Sequence, residues 1–83
     1  MELDKFNVYP NPNNGLVNFS YPSVTDEKVS YEIYGLNGQF IERINLDDAI
    51  TIYNTSHLDA GVYFVYLKVG AQNKEVKKMI VNP

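Results

Sequence analysis

The sequence contains no cysteine and no tryptophan. The first absence removes disulfide frameworks, thiolate metal sites and cysteine nucleophiles. The two together remove the Cys…Trp…Cys signature of antibody-type domains. Histidine occurs once, at His57, which leaves little material for imidazole chemistry. No apolar run approaches the roughly 20 residues that span a bilayer as a helix. The opening Met1-Glu2-Leu3-Asp4-Lys5 has neither the basic start nor the apolar stretch of a secretory leader, so a leader of that kind is expected outside this chain. Positive charge is also in short supply: 7 Lys and Arg stand against 10 Asp and Glu, a net charge of -3. A chain of that sign has no general attraction for phosphate backbones, and no nucleic-acid partner is expected. Internal repeats, low-complexity tracts and linkers are missing too, so residues 1–83 read as one domain.

What is present is apolar patterning. Hydrophobic residues make up 45% of the 83 positions and aromatics 13%, enough for a real core and too little charge for disorder. The pattern has period two, which places alternate side chains on opposite faces of an extended chain. Val17, Phe19 and Tyr21 alternate with Leu16, Asn18 and Ser20, as in a half-buried strand. Val29, Tyr31 and Ile33 alternate with Ser30, Glu32 and Tyr34, which puts Glu32 on a face expected to meet water. Asn37-Gly38 separates that run from Gln39 to Ile44 and predicts a hairpin. Ile50 to Tyr53 is a further short β-rich run. Val62 to Val69 is apolar on nearly every position and predicts a central strand. A turn over Gly70 to Asn73 then leads into a last strand from Lys74 to Val81, whose charged first half is expected to be exposed. With the opening Phe6 to Tyr9, these runs predict an all-β fold, a small antiparallel immunoglobulin-like β-sandwich of about seven strands.

Catalytic chemistry is hard to find. Ser56, His57 and Asp59 invite a triad reading, but a triad is made by spatial convergence, and near neighbours in sequence rarely converge. His57 reads as an exposed loop histidine. Asp26-Glu27 and Asp47-Asp48 lie at strand boundaries, where acids usually face solvent, and neither matches a calcium loop. Asn11, Asn13 and Asn14 are better explained by turn geometry than by cation binding. Gly35-Leu36-Asn37-Gly38 joins two strands and opens no helix, so it offers no phosphate site. Asn18-Phe19-Ser20 and Asn54-Thr55-Ser56 match the short glycosylation pattern and carry little weight. The expectation is a non-enzyme with no cofactor, no metal and no small-molecule substrate. Tyrosines at alternating strand positions suit packing better than a sugar-stacking surface. Lys68, Lys74, Lys77 and Lys78 concentrate basic charge in the last two strands, which fits either an acidic partner surface or protection of an edge strand against unwanted pairing.

Three blocks of residues resemble one family, the type A C-terminal sorting domains of the type IX secretion system of Bacteroidetes. Phe6 to Gly15 is similar to the family's opening Tyr-Pro-Asn-Pro-x-x-Gly motif, with Pro10, Pro12 and Gly15 in place. Val29 to Gln39 resembles its strand, turn and glycine before a polar residue, with Gly35 standing where an aspartate is common. Ser56 to Val65 resembles its Gly-x-Tyr block through Gly61 and Tyr63, and Lys77-Lys78-Met79-Ile80-Val81 matches the basic-then-apolar ending. The resemblance implies the tail of a larger protein exported through the periplasm to the cell surface or beyond. Its implied partners are the outer-membrane secretion translocon, a surface sortase that removes the tail, and a cargo domain fused N-terminally. The residues it singles out as the signal are Pro10, Pro12, Gly15, Gly61, Tyr63, Lys77 and Lys78. The alternative from another class is a cell-surface adhesion or carbohydrate-binding sandwich, which exposed coplanar tyrosines would favour.

Overall fold

The computed structural model describes residues 6–10, 12, 14–21, 28–45 and 50–82, and within them every regular element is a β-strand. The strands are β1 (Asn7–Tyr9), β2 (Leu16–Ser20), β3 (Val29–Gly35), β4 (Phe40–Asn45), β5 (Ile50–Asn54), β6 (Gly61–Val69) and β7 (Gln72–Val81). They form two antiparallel sheets, one in the order β1-β2-β5 and the other β4-β3-β6-β7. Lettered by position, these are A-B-E and C′-C-F-G, an immunoglobulin-like order in which no strand D occurs among the described residues. The two acidic pairs Asp26-Glu27 and Asp47-Asp48, and Asn11 and Asn13, lie outside the described residues.

The period-two pattern decides which side chains meet between the sheets. Val17 and Phe19 of β2, Tyr31 and Ile33 of β3, and Val65 and Leu67 of β6 all point inward and have no exposed surface. Four rings run through this interior. Phe6 stacks on Tyr31 at 5.3 Å, Tyr31 tilts against Phe19 at 4.9 Å, and Phe19 stacks on Tyr53 at 5.7 Å. Tyr31 comes from one sheet and Phe19 and Tyr53 from the other, so the rings clasp the layers together. Each such pair is worth about 0.5–1.5 kcal/mol beyond the area it buries.

The expected central strand is β6, which lies between β3 and β7. Only its inward residues are buried, because each sheet of a sandwich has one covered face. On the outer face Tyr34 meets Tyr66 edge-on at 5.1 Å and 76°, and meets Phe40 at 5.5 Å and 72°. Those rings cover one another and form no coplanar platform. The turn between β6 and β7 is tighter than expected. Gly70-Ala71 alone reverses the chain, since Val69 pairs with Gln72 and Lys68 with Asn73. The register then shifts so that Leu67 meets Glu75, leaving Lys74 as a bulge. The Asn37-Gly38 hairpin forms as a three-residue loop in which Gly38 N donates to Gly35 O at 2.9 Å. The charged first half of β7 is the more exposed half, as expected.

Glu32 departs from expectation. It lies on the outer face, yet its side chain is only 9% exposed. The reason is a cross-strand partner that alternation alone does not reveal: Glu32 is in register with Arg43 of β4. Arg43 Nη2 and Nε donate to Glu32 Oε2 at 2.8 and 3.2 Å, Tyr34 Oη donates to Oε1 at 3.1 Å, and Lys68 Nζ stands 4.0 Å away. The Arg43 bonds hold the Glu32 carboxyl below its usual range, against the opposing effect of burial. A lowered folded pKa stabilises the fold above the unfolded value of about 4.3, and that contribution disappears as pH falls through the folded pKa. Glu32→Gln is therefore expected to melt below wild type at pH 7. The gap should narrow from about pH 5 downward, measured by thermal melts over a pH series.

Tyr31 carries the opposite situation. Its hydroxyl is buried with no hydrogen-bond partner among the described residues, and burial raises its pKa. An unpaired buried hydroxyl costs about 1–3 kcal/mol. Tyr31→Phe keeps the ring and removes the stranded group, so its melting temperature should equal or exceed that of wild type.

Candidate functional site

Strand pairing places three separate stretches of sequence at one end of the sandwich. Tyr9 is opposite Asn18 and Leu16 opposite Asn54, so the β1–β2 loop with Pro10, Pro12 and Gly15 opens there. Gly35 is opposite Tyr63 and Gly61 opposite Val81, which brings the β3–β4 hairpin, the β5–β6 loop and the end of β7 to the same end. The start of β1 lies at the other end, with the Gly70-Ala71 turn, because Asn7 pairs with Ser20 and Val29 with Val69. Pro10, Pro12, Gly15, Gly61 and Tyr63 are thus gathered together, although up to 53 positions separate them in sequence (Pro10 to Tyr63).

Backbone hydrogen bonds lock these loops to one another. Thr55 N donates to Gly15 O at 2.8 Å, tying the β1–β2 loop to the end of β5. The β5–β6 loop is then turned by Ser56 N donating to Asn54 Oδ1 at 2.8 Å and Leu58 N donating to Thr55 O at 2.9 Å. Gly15 adopts φ of +147° and Gly61 φ of +156°, conformations that side-chain-bearing residues rarely enter. Space is not the constraint, since a Cβ at either position would meet nothing within 4 Å. The backbone conformation is what calls for glycine.

The Gly-x-Tyr spacing has a local explanation. Gly61 swings the chain into β6, and two residues later Tyr63 falls on the inward face, packed against the core. Its hydroxyl reaches back and donates to Asp59 O at 2.6 Å. This is the tyrosine corner of immunoglobulin-like sandwiches, a hydroxyl on strand F holding the backbone of the preceding corner. His57, on the same loop, is exposed and is held by neither Ser56 nor Asp59. Tyr53 Oη donates to Glu42 Oε1 at 2.7 Å and lies 3.0 Å from His57 Nε2. Since the single hydroxyl hydrogen goes to Glu42, Nε2 carries the hydrogen of the second bond. Burial first, and the Glu42 bond second, raise the Tyr53 pKa, so it remains a donor. Glu42 belongs to β4 and Tyr53 to β5, so this group links the two sheets beside the loop.

These loops surround a recess of about 220 Å³. Asn14 and Gly15 line one side, Thr55, Ser56, Leu58 and Ala60 another, and Val81 and Asn82 the third. Thr55 and Val81 are buried at its floor, while Asn14, Ser56 and Asn82 are exposed around it. Among the described residues that line it, none has an ionisable side chain. The two lysines stand apart from this end. Lys77 is opposite Val65 and Lys78 opposite Phe64, roughly 13 and 10 Å along the strand from Val81 at the usual rise of about 3.3 Å per residue. Being adjacent on one strand, they point to opposite faces. Lys77 Nζ is 3.4 Å from Glu75 Oε2. The sequence does not single out Thr55, Leu58, Ala60 and Asn82 as site residues. The apolar run that ends at Tyr53 signals a strand end there, but not that the residues after it meet the end of β7.

Among the described residues no group of three His, Cys, Asp or Glu side chains is placed to hold a metal. The family model described as a secretion system C-terminal sorting domain matches residues 7–82. No curated protein matches the chain.

If the tyrosine corner braces this end, Tyr63→Phe should lose one net hydrogen bond, about 1 kcal/mol. For a domain of this size that is a fall of about 4–8 °C in melting temperature, readable by circular dichroism.

Proposed function

The chain belongs to the type IX secretion system C-terminal sorting domain family, and from that premise we propose that the end carrying Pro10, Gly15, Gly61 and Tyr63 is the face read by the export machinery. A sorting domain of this family works by interacting with secretion machinery, and it is exported to the cell surface or outside as part of a larger precursor. The finer reading concerns which residues serve that interaction. Pro10, Pro12 and Gly15 shape the β1–β2 loop, and Gly61 and Tyr63 shape the β5–β6 corner beside it. Lys77 and Lys78, one on each face of β7, supply a secondary basic contact to the receptor.

The observation that carries this reading is the convergence of distant motif residues on one end of a rigid sandwich. A receptor that accepts many cargos needs one constant surface, and braced loops meet it at low ordering cost. The start of β1 lies at the opposite end. A cargo attached N-terminally therefore leaves the proposed face open. The translocon is the receptor in this reading, and a surface sortase then cleaves between cargo and tail. The domain is that enzyme's substrate and performs no reaction itself.

Residues 1–83 fused behind a reporter with a periplasmic leader should carry it to the surface of a bacterium equipped with type IX secretion. Retention in the periplasm would count decisively against the address role. Lys77→Ala combined with Lys78→Ala should lower surface delivery severalfold, with a melting temperature within about 3 °C of wild type. Undiminished delivery would remove the lysines from the signal.

A further inference from the structure

The recess at the motif-bearing end has chemistry that narrows what it receives. Among the described residues its lining contains hydroxyl, amide and aliphatic groups and no charged side chain. A charged group entering it would lose water without gaining a counter-ion, which is strongly unfavourable. Its floor is Val81 and Thr55, and Leu58 packs beside it against the core. Its volume of about 220 Å³ exceeds the roughly 150 Å³ of an apolar cavity known to accept benzene. The room is therefore that of one leucine or phenylalanine side chain. Asn14, Ser56 and Asn82, exposed at the rim, offer hydrogen bonds to backbone groups flanking such a side chain.

We infer that this recess takes a single uncharged apolar side chain from a protein partner, held at the rim by polar contacts to the partner's backbone. The inference rests on the sorting reading and deepens it. Recognition at this end is then by shape and apolar burial, with an anchor seated in a pocket as at other protein interfaces. The basic charge of β7 is secondary. The recess is assembled from the β1–β2 loop, the β5–β6 loop and the end of β7, so it exists only in the folded domain. A partner that reads it thereby tests for folding.

The reporter fusion supplies the test. Ala60→Leu puts bulk into the recess without charge, and Ser56→Glu brings in a charge. Neither touches the Ser56 N bond to Asn54 or the Gly15–Thr55 link. Each should cut surface delivery at least about tenfold, equivalent to about 1.4 kcal/mol of lost binding. Their melting temperatures should remain within about 3 °C of wild type. Ala71→Glu, at the opposite end, should be delivered like wild type. Delivery of both recess variants at the wild-type level would overturn the inference while leaving the address role intact. Failure of the wild-type fusion would instead overturn the address role. If Ser56→Lys is delivered better than wild type while Ser56→Glu is delivered worse, the recess meets an acidic group and the apolar occupant is wrong.

Discussion

The two sheets are held face to face by the ring series Phe6, Tyr31, Phe19 and Tyr53. Immunoglobulin domains that carry a disulfide between strands B and F pin their sheets covalently and pack a tryptophan against the bond. Here neither residue type exists, and stacked aromatics perform the joining. Everything at the motif-bearing end follows from that clasp. The β5–β6 loop belongs to one sheet at its start and to the other at its end, so its shape depends on the distance at which the rings set the layers.

Two smaller devices transmit this constraint to the loops. The Tyr63 hydroxyl grips Asp59 O, and the Tyr53 hydroxyl joins Glu42 to His57. Both hydroxyls belong to rings whose other side faces the core, so each is a polar tip on an apolar anchor. A loop of about six residues is thus tied at several points and presents a defined recess. The recess is braced by groups that do not themselves line it.

The separation of roles among the motif residues follows from strand geometry. Glycine at positions 15 and 61 is required by the backbone angle, and Tyr63 by its reach to a carbonyl. These residues build the surface. Lys77 and Lys78, which read in sequence as one basic patch, stand on opposite faces of β7, because neighbours on a strand always do. A partner contacting both must approach around the strand. On the outer face of the larger sheet Tyr34 and Tyr66 meet edge-on, so the two rings do not lie in one plane.

Composition, period-two alternation and turn residues were sufficient for seven strands, their inward faces and the hairpin at Asn37-Gly38, because those features depend on neighbours one or two residues away. The motif blocks were legible as well, and with them the family. Register was not. Whether Glu32 is exposed depends on Arg43, eleven residues on, and whether Thr55 lines a recess depends on Gly15 and Val81, far off along the chain. Pairing across strands and between sheets is a property of the assembled sandwich, so only the tertiary structure could show that one end collects Pro10, Pro12, Gly15, Gly61 and Tyr63 beside a recess whose described lining carries no charged side chain.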